Sequence, residues 1–293
     1  MTGLASANES VEVDGPVMAV KVDNTAQALP QSGVGAADIV VEEPVEGGVT
    51  RLAVLVHSSV PSGGELPTGP VRSVRSSDVG IVKPADAVLL ASGGAQEALD
   101  DLDEAGVETR FEGTPGFDRD ESRSAPYNLG VDVVEAEAAL DAPGPSQPYF
   151  DFGQLTDPLA GEPAIRVVLE FSPEHSTAMS FADGVWSREL DEPDGFAATT
   201  VLALLVEQDT ADYLDPGGFP VPINVTEGQG DGWLVHDGQV VEIAWSKPSA
   251  ASTWSFETVS GEPVQVPPGR TYLGLLPVTT GSLRVDSSLL TTP

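Results

Sequence analysis

Residues 16–24 read PVMAVKVDN, a short and nearly continuous apolar run that ends in two polar residues. A run of this length, rich in valine, is typical of a buried strand. Asp23 and Asn24 follow it, so we expect the strand to deliver polar groups to a loop. Asp23 is a candidate base, ligand or salt-bridge partner. An Asx turn that leaves the strand explains the same pair of residues equally well.

The composition of the chain limits its classes of function. Its 293 residues carry 13 Lys and Arg against 46 Asp and Glu, a formal net charge of −33. Such a surface repels nucleic acids and anionic lipid headgroups, so we expect no nucleic-acid partner. The chain has no cysteine, and its three histidines, His57, His175 and His236, are widely separated. We therefore predict no metal site and no cofactor.

The pattern along the chain predicts an α+β protein made of two units. Residues 16–141 mix strand and helix signals and are predicted to form an α/β N-terminal domain, whereas residues 164–293 are mainly strand-like. Residues 142–163 carry five prolines and form the predicted linker. Residues 1–15 are small and polar and are predicted to be a disordered tail. We expect each unit to have a sheet of its own.

Local signals predict individual elements. EGGV at 46–49 predicts a hairpin between the apolar runs on either side of it. SGGAQEALDDLDEAG at 92–106 predicts a helix from about residue 95 to 105, with Leu99 and Leu102 buried. HDG at 236–238 predicts a tight turn between two strands. The strand-like runs of the second half lie at 165–171, 199–206, 233–236, 240–245 and 272–277.

The segment GPVRSVRSSD at 69–78 places two arginines three residues apart in a chain that has few positive charges. Loops held by a rigid scaffold are where functional groups collect, and the guanidinium fork matches a carboxylate or a phosphate. We expect Arg72 and Arg75 either to bind an anion or to pair with the chain's own carboxylates. Asp78 is expected to cap a helix that begins near residue 79.

The segment FDRDESRSAPYNL at 117–129 mixes two arginines with three acids. It is either a self-satisfied network of salt bridges or part of one site with Arg72 and Arg75. We expect Arg51, Arg72, Arg75 and Arg123 to converge with Asp23. The whole predicted ligand-binding set is Asp23, Asn24, Arg51, Arg72, Arg75, Arg119, Arg123 and Asn128.

Several motifs resemble the YerB-like lipoprotein family of bacteria. They are the run from PVMAVKVDN to TRLAVL at 16–55, GPVRSVRSSD, SGGAQEAL, DESRSAPYNL and, in the second half, ATTVLALLVEQ and WLVHDGQVVEIAWSK. The resemblance covers roughly residues 16–278 and implies an extracytoplasmic, two-domain lipoprotein of unestablished function. It implies contact with a membrane only through an N-terminal lipid anchor, whose cysteine is absent from this chain. The family tends to have APHN where this chain has Tyr127, which argues against a histidine base there.

Together these features predict a cell-envelope protein that binds an anionic envelope component through an arginine-lined cleft. The ligand would be a small molecule or glycan that bears phosphate or carboxylate groups. One alternative is a hydrolase or transferase acting on an envelope polymer, with Arg72 and Arg75 stabilising transition-state charge and Asp23 as general base. The other is a non-catalytic scaffold for another envelope protein, which an exposed apolar patch on the C-terminal domain would favour.

Overall fold

The apolar run after Pro16 forms strand β1 (Met18–Asp23), and all six of its residues are buried. The computed structural model describes residues 15–57, 64–140, 147–153, 161–190 and 195–287. The predicted tail at 1–15 lies outside this range except for its last residue, and part of the predicted linker lies outside it as well.

The N-terminal part is a mixture of strands and short helices, as predicted. Its further strands are β2 (Ile39–Pro44), β3 (Thr50–Val56), β4 (Pro67–Thr68), β5 (Val88–Leu90), β6 (Thr109–Arg110), β7 (Phe117–Arg119) and β8 (Leu129–Asp132). Its α-helices are α1 (Asp78–Val82), α2 (Gln96–Glu104) and α3 (Val133–Ala138). Short 3-10 turns cover Ala26–Ala28, Val34–Ala36, Glu46–Gly48 and Lys83–Ala85.

The C-terminal part is mainly antiparallel β structure, which confirms the predicted fold class. Its first strands are β9 (Glu162–Pro163), β10 (Arg166–Glu170), β11 (Ser176–Ala182), β12 (Val185–Arg188), β13 (Ala197–Ala198), β14 (Thr200–Val206) and β15 (Gln208–Leu214). They are followed by β16 (Pro220–Asn224), β17 (Gly228–His236), β18 (Gln239–Lys247), β19 (Ser255–Thr258), β20 (Pro263–Val264), β21 (Thr271–Pro277) and β22 (Ser282–Asp286).

One sheet of twelve strands runs through both parts of the chain, in the order β20-β19-β18-β17-β14-β21-β2-β3-β1-β5-β6, with β9 paired to β18. Strand β2 pairs in parallel with β21, which joins residues 39–42 to residues 271–274. The expectation of two units with separate sheets is therefore wrong. The two parts share one sheet because β2 and β21 are both fully buried. Their backbone N–H and C=O groups need hydrogen-bond partners, and each strand supplies them to the other. The boundaries at 142–163 stay a prediction.

Six strands of the large sheet form two groups of parallel neighbours, and both groups run in the same direction. β1, β5 and β6 are parallel neighbours, β2, β21 and β14 are parallel neighbours, and the antiparallel β3 connects the two groups. The carboxyl ends of these six strands therefore lie on the same side of the sheet. We call this side, where the strands end, the carboxyl edge. Loops at such an edge are where open α/β sheets bind ligands.

The two faces of the large sheet are covered by different elements. On the face that carries Ala19 and Val41, helices α1 and α2 pack together with Tyr149 and Phe150, and we call it the helix face. Tyr149 and Phe150 belong to the predicted linker, and both are fully buried. On the face that carries Val20, a smaller sheet packs in the order β13-β12-β11-β10-β22, and we call it the sheet face.

The local predictions hold within a residue or two. EGGV connects β2 to β3 as an antiparallel hairpin. The HDG turn joins β17 to β18, with Asp237 and Gly238 both at positive φ (46° and 70°), as a two-residue hairpin turn requires. Helix α2 buries Leu102, whereas Leu99 is only half-buried and packs against the rim of the core.

Candidate functional site

Polar residues that are adjacent in sequence point to opposite faces at the carboxyl edge. Strand β2 sends Glu43 to the helix face with Val41, and it sends Glu42 to the sheet face. The pair at the end of β1 is divided in the same way, because Asp23 contacts Arg72 and Asn24 contacts Glu42. Side chains alternate between the faces of a strand, so each face receives its own cluster of charges.

On the helix face, two arginines share one carboxylate. Arg75 donates to both oxygens of Glu46, with Nε at 2.8 Å from Oε2, and Nη2 of Arg51 lies 3.2 Å from Oε1. Burial raises the pKa of Glu46, but the hydrogen bond from Arg75 and the charges of Arg51 and Arg75 outweigh this and lower it. Burial and the charge of Arg75 lower the pKa of Arg51 to about 10. The guanidinium group of Arg51 therefore stays charged at neutral pH.

Arg72 extends this group of charges towards solvent. Its Nε lies 3.1 Å from Oδ2 of Asp23, and its side chain is 25% exposed. Asp23 is the cross-strand neighbour of Arg51 in the β1–β3 pair. The other oxygen of Asp23 accepts from the backbone N–H and the hydroxyl of Thr25, so the predicted Asx turn is present beside the ion pair. The guanidinium of Arg72 lies over the ring of Tyr127, 5.9 Å from its centroid.

We call Arg51, Arg72, Arg75, Asp23 and Glu46 the arginine cluster. It has an excess of one positive charge. The loop at 72–74 is held against the SGG loop after β5, where Ser92 N–H donates to Arg72 O (3.0 Å) and Val74 N–H donates to Gly93 O (2.8 Å). Helix α2 starts directly after that loop without a side-chain cap on its first N–H groups.

Deeper on the helix face lies a buried triad. Nζ of Lys21 lies 2.6 Å from Glu43 and 2.8 Å from Asp78, and all three side chains have no exposed surface. Burial alone would lower the pKa of Lys21, but the charges of Asp78 and Glu43 outweigh it and raise it. Asp78 also accepts the backbone N–H of Arg75 at 2.8 Å. Asp78 is the first residue of α1, and Ser77 precedes it at the cap position, so the prediction that Asp78 caps this helix is wrong. Its side chain instead fixes the arginine loop and pairs with Lys21.

On the sheet face, Glu42 is fully buried and collects five donors. Oε1 accepts from Thr50 (2.7 Å), Asn24 (2.8 Å), Nε2 of His175 (2.8 Å) and Thr177 (3.0 Å). Oε2 accepts from the hydroxyl of Tyr272 at 2.5 Å. Burial would raise the pKa of this carboxyl, but the hydrogen bond from His175, the charge of Arg188 and the hydrogen bond from Tyr272 lower it. Glu42 is therefore an ionised carboxylate that joins both sheets.

Arg188 reaches the same group through amides rather than through a carboxylate. Its Nη2 donates to Oδ1 of Asn24 at 2.6 Å, and its Nη1 donates to Oε1 of Gln31 at 3.0 Å. Asn24 links Arg188 to Glu42, because its Nδ2 donates to Glu42. The small sheet thus contributes His175, Thr177 and Arg188 to a network whose acceptor lies on β2.

The predicted site residues do not all meet. Arg51, Arg72, Arg75 and Asp23 form the arginine cluster, whereas Asn24 belongs to the Glu42 network. The other three lie along the segment 117–129. Arg123 donates to the carbonyl oxygens of Ala28 and Pro30, and its convergence with the cluster stays a prediction.

Arg119 and Asn128 also bond to residues that are close to them in sequence. Arg119 pairs with Glu112 at 2.6 Å and donates to Asn128 at 2.7 Å, all on the surface. Arg123 and Asn128 do line a cavity of about 380 Å³, but Asp118, Asp120, Asp132 and Glu135 line it as well. This cavity is negative and does not suit an anion.

Sequence reasoning missed the residues with the deepest burial. Lys21 lies inside an apolar strand, and a lysine in such a run is itself a signal of a buried ion pair. Glu42 and Glu43 are two consecutive acids inside a fully buried strand, which is a second such signal. His175 and Arg188 gave no signal, because their partners lie more than a hundred residues away.

The described part of the chain contains no cluster of three or more His, Asp or Glu side chains that could hold a metal ion. Within the same residues, no helix is long and apolar enough to cross a bilayer.

The fold and the charged carboxyl edge define a class: a mixed-sheet protein whose C-terminal part completes the sheet of its N-terminal part. The chain belongs to the family described as "Protein of unknown function (DUF3048)". The model of the N-terminal domain matches residues 1–146, and that of the C-terminal domain matches residues 164–273.

Two comparisons relate the chain to one bacterial protein. It is 24% identical over 307 residues to "Putative lipoprotein YerB" of Bacillus subtilis (strain 168). This alignment covers 94% of the present chain and 85% of the relative. The crystal structure of the YerB protein from Bacillus subtilis has the same fold, with a TM-score of 0.75 at 20% identity. That superposition covers 94% of this chain and 96% of the other. The name of this relative describes it as a putative lipoprotein.

Proposed function

We propose that the protein is an extracytoplasmic envelope protein that binds an anionic group at the arginine cluster. The group would be a phosphate or carboxylate of an envelope small molecule or glycan. The observation that carries the proposal is the excess positive charge of the cluster in a chain with a net charge of −33. A local cation excess at a sheet's carboxyl edge attracts anions that the rest of the surface repels.

Arg72 is the residue that would contact the ligand. Arg51 and Arg75 are almost fully buried against Glu46, whereas Arg72 is a quarter exposed and has a single carboxylate partner. Ser73 and Ser92 face each other beside it, with their hydroxyl oxygens 3.4 Å apart, and add donors for an anion. The uncapped N–H groups at the start of α2 add to the favourable potential.

Membrane attachment belongs to this proposal. The relative is named as a lipoprotein, and we infer that the native protein is held at the membrane through an N-terminal lipid anchor and works outside the cytoplasm.

The geometry favours binding over catalysis at the arginine cluster. Asp23 would be the general base of a hydrolase or transferase, but Oδ1 of Asp23 accepts two hydrogen bonds from Thr25 and Oδ2 lies against Arg72. A carboxylate so fully occupied is a positioning partner rather than a proton acceptor.

A scaffold function is the second candidate, and one observation favours it. Leu214 and Phe219 flank the turn of the β15–β16 hairpin and are 60% and 53% exposed. Two exposed apolar side chains at one tip suit a contact with another protein.

The test is calorimetric titration with inorganic phosphate, pyrophosphate and a poly(glycerol phosphate) polymer. Arg72→Gln should weaken binding about tenfold or more, because a charge-assisted hydrogen bond is lost. It should change the free energy of unfolding by less than about 1 kcal/mol, because the ion pair is partly exposed. Arg119→Gln is the matched control and should bind as the wild type does. Equal binding by Arg72→Gln and wild type, or no binding by either, would leave the scaffold function in its place.

A further inference from the structure

A second cavity lies on the sheet face, between the large sheet and the small sheet. Its volume is about 280 Å³, and it lies on the opposite side of the large sheet from the arginine cluster. Polar lining comes from Asn24, His175, Arg188, three hydroxyl residues (Thr25, Ser176 and Thr177) and Glu189, whose carboxylate is paired with Arg166, and apolar lining comes from Ala26, Leu29, Ala178 and Leu190. A small cavity with a few convergent polar groups and an apolar wall is typical of a binding site for a small molecule.

Arg188 has unused donors at this cavity. Of its five N–H groups, Asn24 and Gln31 accept two. Arg188 forms no ion pair with a described residue, and its buried Nε has no acceptor. Buried donors are nearly always satisfied in proteins. Among the described residues this half-buried guanidinium contacts only neutral amides, so it can take an anionic acceptor from a ligand.

His175 lines the same cavity and bonds to Glu42 through one of its two ring nitrogens, Nε2. Because Glu42 is ionised, Nε2–H of His175 donates to it, and this hydrogen bond holds the ring in place. In this tautomer Nδ1 is a free acceptor, and no described residue donates to it. The ring is 17% exposed and lines the cavity. It can therefore accept an N–H group of a ligand.

The charge of the site selects a monoanion. Arg188 supplies one positive charge, and the nearby carboxylate of Glu42 is already covered by five protein donors. A dianion such as a phosphate monoester would leave one negative charge near Glu42 uncompensated.

The apolar wall adds a third requirement. Leu29 is a large apolar side chain that remains 36% exposed, and it borders the cavity with Ala26 and Leu190. An apolar group of a ligand would remove this surface from water.

We propose that this cavity binds the C-terminal end of a short peptide or an N-acylated amino acid with an apolar side chain. The carboxylate would accept from Arg188, the amide N–H would donate to Nδ1 of His175, and the side chain would pack on Leu29. This site is separate from the arginine cluster and does not depend on the function proposed for that cluster.

The experiment titrates the full chain with N-acetyl-leucine and, in parallel, with N-acetyl-leucinamide, which lacks the carboxylate. Wild type should bind the acid at least about tenfold more tightly than the amide, because only the acid pairs with Arg188. Arg188→Gln should lose this preference. Arg284→Gln is the matched control, because Arg284 is on the same small sheet and is an exposed partner of Glu170, and it should behave as wild type. Equal affinity for acid and amide in the wild type would overturn the proposal.

A second measurement does not depend on a variant that folds. The chain has three histidines, so ¹⁵N–¹H spectra of the imidazole rings can be assigned to His57, His175 and His236. N-acetyl-leucine should shift the Nδ1 resonance of His175 and leave the other two rings unchanged. Arg72→Gln should show the same shift, since it alters only the other face. A His175 resonance that does not move at saturating acid would also overturn the proposal.

Discussion

The two faces of the large sheet handle buried charge differently at the same edge. On the helix face, cations contact carboxylates directly: Lys21 with Glu43 and Asp78, and Arg75 with Glu46. On the sheet face, the charge of Glu42 is shared among hydroxyl, amide and imidazole donors, and Asn24 separates it from the guanidinium of Arg188.

The difference bears on which face can still bind a ligand. In a direct ion pair the cation and the carboxylate satisfy each other's hydrogen bonds, so the buried part of the helix face is a structural element. Arg72 is the most accessible of the three arginines there. On the sheet face, neutral groups lie between Glu42 and Arg188. Among the described residues, some N–H groups of Arg188 and Nδ1 of His175 therefore have no hydrogen-bond partner. The following predictions test this contrast, in order of decreasing effect.

Lys21→Met should have the largest effect. It would leave Glu43 and Asp78 buried side by side without their cation, and breaking a buried ion pair costs about 3–5 kcal/mol. Chemical denaturation would measure this loss. Lys83→Met is the matched control, since Lys83 pairs with Asp86 at 3.8 Å near the surface and should change stability by less than about 1 kcal/mol. Stability equal to wild type would show that the triad is not held by its charges.

Glu42→Gln should cost less, about 2–3 kcal/mol at neutral pH, because the amide keeps one acceptor and nearly the same volume. The pKa of Glu42 is lowered from 4.5 in the folded protein. Its carboxylate therefore contributes full stability above pH 4.5, and this contribution is lost as the pH falls through the lower folded pKa. Unfolding free energies measured from pH 7 down should show the difference between variant and wild type shrinking below pH 4.5.

A matched control for that series is Glu207→Gln, at an exposed position. It should show no such narrowing. A constant difference for Glu42→Gln down to the lowest pH would mean that the charge of Glu42 does not stabilise the sheet face.

Lys247→Met should act in the opposite direction, because the buried charge of Lys247 destabilises the folded protein at neutral pH. Strand β18 places Lys247 on the helix face, where Nζ donates to the carbonyl oxygens of Ser249 and Ala250 instead of pairing with an acid. Burial lowers its pKa to about 8 from an ordinary 10.5. Between these values the unfolded chain binds more protons, so wild-type stability should rise with pH relative to the variant, by up to about 3 kcal/mol. Parallel denaturation series from pH 7 to 10.5 would measure it.

Lys21 makes this last prediction specific. Its pKa is raised by two carboxylates, so it stays protonated through the same pH range and contributes no rise. Lys83→Met should follow wild type across the series. If the difference between Lys247→Met and wild type does not change from pH 8 to 10.5, Lys247 is not a lysine destabilised by burial.

Much of the local structure could be predicted because it depends on residues near one another. Valine-rich runs predict strands such as β1, the HDG segment predicts the turn between β17 and β18, and the spacing of Leu99 and Leu102 predicts α2. Turn chemistry and side-chain periodicity act over a few residues, so the sequence alone carries them.

The partners of the polar residues were decided by the tertiary structure. The sequence places Asp23 beside Asn24 and Glu42 beside Glu43, and alternation along a strand sends one of each pair to each face. Which partners they meet there is decided only when the helices and the small sheet pack on the two faces. His175 meets Glu42 across 133 residues, and β2 meets β21 across more than 230. Local propensity does not contain contacts at such separations, because they depend on which sheet edges and buried charges satisfy one another once the whole chain has folded.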